Sequence, residues 1–157
     1  MTTIATAELP DLAMLPGHYI RRLQQIAVAI FLQETESHGV TPVQFAAIHT
    51  IGKIPGIDQR TLARTIGFDT STIAGVIDRL ESRGLVQRDA SSEDRRVRLL
   101  SLTPEGQTRL QALAPGVLRA QQRMLEPLGP AQRDEFMRML RMVVTANNEM
   151  SRAPSEA

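Results

Sequence analysis

The chain has 157 residues, 42% of them hydrophobic, and a formal net charge of +1; this suits one domain, or a small domain with helical extensions, and is too apolar for a disordered chain. It has no cysteine, which excludes disulfides, thiolate chemistry and cysteine metal sites. No run approaches the ~20 apolar residues of a membrane span, and the N-terminus lacks the basic start and apolar middle of a signal peptide, which points to the cytoplasm.

Residues 1–15 read as a flexible lead-in. From Pro16 to about Glu36 a helix is expected, because Tyr19, Leu23, Ile26, Ala27 and Ile30 recur at helical spacing and "SHGV" stops it. Its opposite face carries His18, Arg21, Arg22 and Gln25. A second helix starts at Thr41 as N-cap, with Pro42 at the first helical position, Gln44 completing a capping box and Val40 with Phe45 as a hydrophobic staple. It should end near Lys53, before "IPGID". Asp58 caps a short third helix with Leu62, Ala63 and Ile66 inward and Gly67 closing it. Asp69 caps a fourth, whose Ile73, Val76, Ile77 and Leu80 form an apolar stripe and which Gly84 ends.

Two short helices joined by "GFD" make a helix-turn-helix pattern. The segments "LVQRDA" and "RVRLLSL", separated by "SSED", read as a β-hairpin with a charged tip. Helix-turn-helix followed by hairpin is a winged helix, so the fold class is mainly α with a small β-hairpin wing. After it, Thr103 and Pro104 start a helix to about Leu125, interrupted or kinked by "APG" at 114–116, and Gly129 and Pro130 start another to about Glu149, with Phe136, Leu140, Val143 and Val144 on one face. These outer helices carry more apolar surface than a winged helix needs, which predicts a two-fold homodimer. The resulting organisation is a dimerisation helix over 16–40, a winged helix-turn-helix over 41–102, dimerisation helices over 103–150 and a tail over 151–157.

Burying the stripe of the fourth helix turns Ser71, Thr72, Gly75 and Arg79 outward. Small side chains near a helix N-terminus permit close approach to base edges or phosphates, and Arg79 can reach a phosphate or a guanine. Seventeen of the eighteen basic residues are arginine, the side chain suited to bidentate phosphate and base contacts. Against this, residues 58–98 hold eight arginines and seven acids, so salt dependence should be modest.

The stretch "TLARTIGFDTSTIAGVIDRLESRGLVQRDASSEDRRVRLLSLTPEG" resembles the MarR family of bacterial winged-helix transcriptional regulators. The resemblance covers about 16–150 and is densest over 57–106. It implies homodimers with interlocking terminal helices, two winged helices gripping a palindromic operator, and a repressor that a small anion, often an aromatic acid, releases from double-stranded DNA. Matched to the family's wing, Arg96 enters a minor groove, Asp94 braces it and Arg95 takes phosphate; an arginine suits that narrow, electronegative groove. Arg88 and Arg98 read either as backbone contacts or as solvated side chains.

The segment "LPGHYIRRLQQIAVAIF" resembles the first helix of aromatic-acid-responsive catabolic repressors in that family. His18, Arg21 and Arg22 can meet Phe45 and His49 once packed or across the dimer, where two guanidinium groups suit a carboxylate and an imidazole a ring hydroxyl. Arg21 and Arg22 read equally as a solvated or dimer-bridging face, and His49 reads first as a core histidine. No cofactor or metal is expected, since the three histidines lack ligand spacing, and the methionines read as packing. No nucleophile with base, paired carboxylates or phosphate loop points to an enzyme. The alternative is a winged-helix protein-interaction module without sequence-specific DNA binding.

Overall fold

A computed structural model describes residues 8–151; residues 1–7 of the lead-in and 152–157 of the tail lie outside the described residues. A 3-10 turn at Leu12–Met14 precedes α1 (Pro16–Thr35). There follow α2 (Pro42–Lys53), β1 (Ile57–Asp58), α3 (Gln59–Ile66), α4 (Thr70–Ser82), β2 (Val86–Ala90), β3 (Arg98–Leu102), α5 (Pro104–Leu125) and α6 (Pro130–Ala146).

The caps explain why the helices start where they do. Thr41 Oγ1 accepts from the Gln44 N–H while Gln44 Oε1 accepts from the Thr41 N–H, so two otherwise orphaned donors satisfy each other's residues. Asp58, Asp69 and Thr103 each accept from the N–H three residues on, at the heads of α3, α4 and α5. Gly67 closes α3 with φ +74°, a conformation that side chains with a Cβ rarely adopt.

The core lies in the winged helix. Ile73, Ile77 and Leu80 of α4 meet Ile48 and Ile51 of α2, Leu62 of α3, and Leu85 and Leu100 of the wing, all fully buried. The stripe read for α4 therefore holds at each position, Val76 included.

The wing departs from a two-stranded hairpin. β3 sits between β2 and β1 in an antiparallel sheet of order β1-β3-β2, with Ile57 opposite Leu100 and Val86 opposite Leu102. Two paired residues after a proline and a glycine are too short to leave a period-two signature. The strand expected from Arg96 begins at Arg98 instead, because Asp94 captures the amides on its far side. Its Oδ1 accepts from the Arg96 N–H and its carbonyl from the Val97 N–H, so those donors serve the turn and not the ladder.

Further along, α5 is not interrupted at "APG". It runs helical through Pro115, and Gly116 sits where a Cβ would collide with the Glu34 carbonyl of α1. The α1 and α5 backbones thus approach closely at this point. Gly106 does the same against the Leu85 carbonyl, closing α5 onto the wing. The last helix stops at Ala146, short of Glu149, where the Asn147 side chain donates to the Val143 carbonyl and a 3-10 turn over Asn148–Met150 takes over.

α1 and α6 differ from the rest. α6 buries no residue, and α1 buries only Phe31 and Thr35. Among the described residues, no helix is long and apolar enough to cross a membrane.

Candidate nucleic-acid and effector sites

The face of α4 opposite its apolar stripe points outward as expected, and Ser71, Thr72, Gly75 and Arg79 are all exposed. A Cβ built on Gly75 would meet nothing within 4 Å, so this face is open to a flat or grooved partner. The two hydroxyls are not free donors, however. Ser71 Oγ donates to Asp69 Oδ1 at 2.6 Å and Thr72 Oγ1 to Asp69 Oδ2 at 2.8 Å. Their lone pairs remain, so they are set to accept from base amino groups and not to donate to phosphate. The same bonds hold the Asp69 carboxyl well below the usual carboxylate range, with the Ser71 hydroxyl the largest cause and the Thr72 amide and hydroxyl next.

At the wing tip, Arg96 projects into solvent. Its side chain is 91% exposed and Nε lies 3.2 Å from Asp94 Oδ1. Hydrogen bonds from the Arg96 amide and then from its side chain lower the Asp94 pKa, keeping that brace ionised. Arg95 is exposed beside it.

Arg88 has a different role from either of those read from the sequence. It donates to Glu81 Oε2 at 2.8 Å and to Asp78 Oδ1 at 2.7 Å, tying β2 to α4, and Glu81 first, then Asp78, raises its pKa against the opposing effect of burial. Both acids on the solvent side of α4 are thereby consumed.

Between α3, the start of α4 and the wing lies an open groove of about 920 Å³, with Arg60, Arg64, Thr70, Arg96 and Arg98 in its walls. Among the described residues, Arg60 and Arg98 make no ion pair. Arg60 and Arg64 went unnoticed in the sequence, although their i, i+4 spacing opposite Leu62, Ala63 and Ile66 marks them as the outer face of α3. The near balance of arginines and acids over 58–98 now has a spatial meaning. Asp58 and Asp69 cap helices, Asp78 and Glu81 hold Arg88, and Asp94 braces Arg96, while five arginines and one acid, the capping Asp58, line the groove.

The five residues read as an effector site fall into two groups and one separate residue, Arg22. Arg21 Nη2 lies 3.3 Å from His18 Nδ1, and the His18 ring meets Tyr19 edge-on. On α2, His49 stacks on Phe45 at 5.5 Å between centroids, and Phe45 in turn contacts Phe31 of α1 at 5.8 Å. No hydrogen bond or ring contact joins the groups among the described residues. Helical rise explains the gap: His18 and Phe31 are thirteen residues apart on one helix, about 20 Å. His49 itself is exposed in the single chain and not a core residue. Arg22 occupies a third position, on the rim of an apolar crevice of about 540 Å³ between α1 and α6 that Tyr19, Leu23, Ile26, Phe136 and Leu140 line. Among the described residues no cluster of three or more histidines and acids is placed to hold a metal ion.

The fold recurs in known proteins. The MarR family model matches residues 40–97. The transcriptional regulator HosA of Escherichia coli is 31% identical over 81% of this chain and 93% of its own length. Among solved structures, the PcaV transcriptional regulator from Streptomyces coelicolor in complex with its natural ligand is 35% identical, with a TM-score of 0.81 over 89% of this chain and 99% of that one. BpsR of Bordetella bronchiseptica, whose DNA binding is regulated by 6-hydroxynicotinic acid, is 28% identical with a TM-score of 0.82 over 87% of this chain and 97% of that one. With sequence and fold agreeing over more than four-fifths of its length, the chain belongs to the MarR family of transcriptional regulators.

Proposed function

We propose that the protein is a homodimeric repressor that binds a palindromic operator in double-stranded DNA and leaves it when a small aromatic carboxylate binds. The observation that carries this is an open α4 face, Ser71, Thr72, Gly75 and Arg79, together with a braced arginine, Arg96, in the wall of an arginine-rich groove that reaches the start of α4 at Thr70. α4 enters the major groove, Arg96 the flanking minor groove, and Arg95, with Arg60 and Arg98, takes phosphates. In a dimer the two α4 helices face successive major grooves, about 34–36 Å apart.

The effector reading rests on His18, Arg21 and Arg22 at the start of α1, where guanidinium groups face a carboxylate and the Tyr19 side of the apolar crevice takes a ring. The regulation of BpsR by 6-hydroxynicotinic acid, an aromatic carboxylate, supports that class. Phe45 and His49, about 20 Å along α1 from His18, join the site when a second copy brings its own α2 to this end.

The test is a gel shift with the DNA upstream of the protein's own gene, with and without benzoate, hydroxybenzoates, hydroxycinnamates and 6-hydroxynicotinate. A shift that one acid reverses is expected, with reversal weakened in R21A and R22A. A shift that none reverses would discard the effector and keep the regulator. No shift at low salt on several such fragments would favour a winged-helix module that binds protein.

A further inference from the structure

Arg83 stands at the far end of α4 from the face that Ser71 and Thr72 present. Twelve residues of helix separate it from Ser71, about 18 Å along the axis. Although exposed, its guanidinium is committed: Nη1 donates to the Gly39 carbonyl at 2.9 Å and Nη2 to the His38 carbonyl at 3.3 Å. Arg109 of α5 donates to that same His38 carbonyl at 2.9 Å. One short segment between α1 and α2 is therefore held from both sides, by α4 and by α5.

The segment continues directly from a point where α1 and α5 are tied together. Glu34, near the end of α1, accepts from Arg119 at 2.9 Å and Arg123 at 2.8 Å, and Gly116 packs on its carbonyl. Gly39 itself has φ +59°, which fixes how its carbonyl is presented. A planar fork on two successive carbonyls restrains orientation as well as distance, which a point donor does not.

We propose that Arg83 is a positioning residue for operator recognition: by forking onto His38 and Gly39 it sets the angle of α4 against the α1–α5 pair, and so the half-site spacing that the dimer accepts. The proposal rests on the DNA-binding function above. It assigns Arg83 no contact with DNA. Its effect is on which spacing binds, because the angle of each α4 determines where the two reading faces fall on the duplex.

The experiment measures affinity for the upstream fragment and for versions with one base pair inserted or deleted at the centre of the footprint, each step turning one half-site by about 35° relative to the other. Wild type should lose at least ~10-fold on either change, whereas R83A should bind the original ~5-fold more weakly and lose less than ~3-fold on either change. R83K keeps the charge and replaces the fork by a single ammonium, so it should show the same flattened preference with the salt dependence of wild type. It also carries the test if R83A melts too low to assay. Spacing preference equal to wild type in both variants would overturn the proposal. So would a salt slope reduced by about one in R83A, which would make Arg83 a phosphate contact. No shift with the wild-type protein would overturn the DNA-binding function first and this role with it.

Discussion

The winged helix and the two outer helices, α1 and α6, treat their apolar residues in opposite ways. In α4 the stripe Ile73, Ile77 and Leu80 is 0% exposed, whereas on α6 Val143 is 54% and Val144 67% exposed. Polar groups differ in the same way. Within the winged helix, Asp58, Asp69, Asp78, Glu81 and Asp94 each serve a cap or an arginine, and Asp94 and Arg96 brace the tip of the wing. The two outer helices line a crevice rimmed by Arg22. A single chain thus finishes the winged-helix core and leaves apolar faces of α1 and α6 uncovered; on the homodimer proposed above, reading and assembly can then be damaged separately.

The largest effect should come from the unfinished half. In a two-fold interface one substitution acts twice, and V144D would place a carboxylate on the apolar face of α6 in both copies. The dimer dissociation constant should rise ~100-fold or more, about 2.7 kcal/mol, measured by sedimentation, and operator affinity should fall with it. The winged helix should keep its helical circular dichroism, because none of its core residues touches Val144. A wild-type protein that sediments as a monomer at micromolar concentration would break the comparison.

On the finished half the effects should be smaller and separable by kind. R79A or R96A should each cost ~1–3 kcal/mol on the selected operator if the side chain reads a base, with discrimination between operator variants reduced. R60A should instead weaken all sequences alike and lower the salt slope by about one, the mark of a lost phosphate contact. Fluorescence anisotropy across a salt series distinguishes the two. Unchanged affinity in both R79A and R96A would remove α4 and the wing as the reading elements.

How much of this was legible beforehand follows from how local each signal is. Caps are local, so Thr41, Asp58, Asp69 and Thr103 marked the helix starts correctly, and helical periodicity marked the stripe of α4. The paired strand at Ile57 and Asp58 depends on Leu99 and Leu100, some forty residues away, and two residues carry no period. Pro115 reads as a break in sequence because its missing N–H is a local fact, whereas the fit of Gly116 against α1 that accompanies the unbroken helix is not. The wing arginines could be named from the family pattern, but the commitment of Arg88 to Asp78 and Glu81 needed the fold. The effector residues were the least legible: sharing one helix face placed His18 and Arg21 together, and nothing in their spacing showed that Phe45 and His49 lie at the other end of α1.

The smallest effect concerns the point where capping and recognition meet. Asp69 ties Ser71, Thr72 and the first turn of α4 together, and its carboxyl titrates below its ordinary value of 3.8 because those groups hydrogen-bond the anion. A group whose folded pKa is depressed contributes stability that is fully present above the unfolded value and fades as pH falls through the folded one. The contribution is therefore complete at pH 7 and lost only below about pH 4. Asparagine caps about as well as aspartate and does not titrate, so D69N should melt close to wild type at neutral pH and hold its fold to lower pH in an acid titration followed by circular dichroism. An acid transition unmoved in D69N would show that the hydrogen bonds around Asp69 do not bias its ionisation.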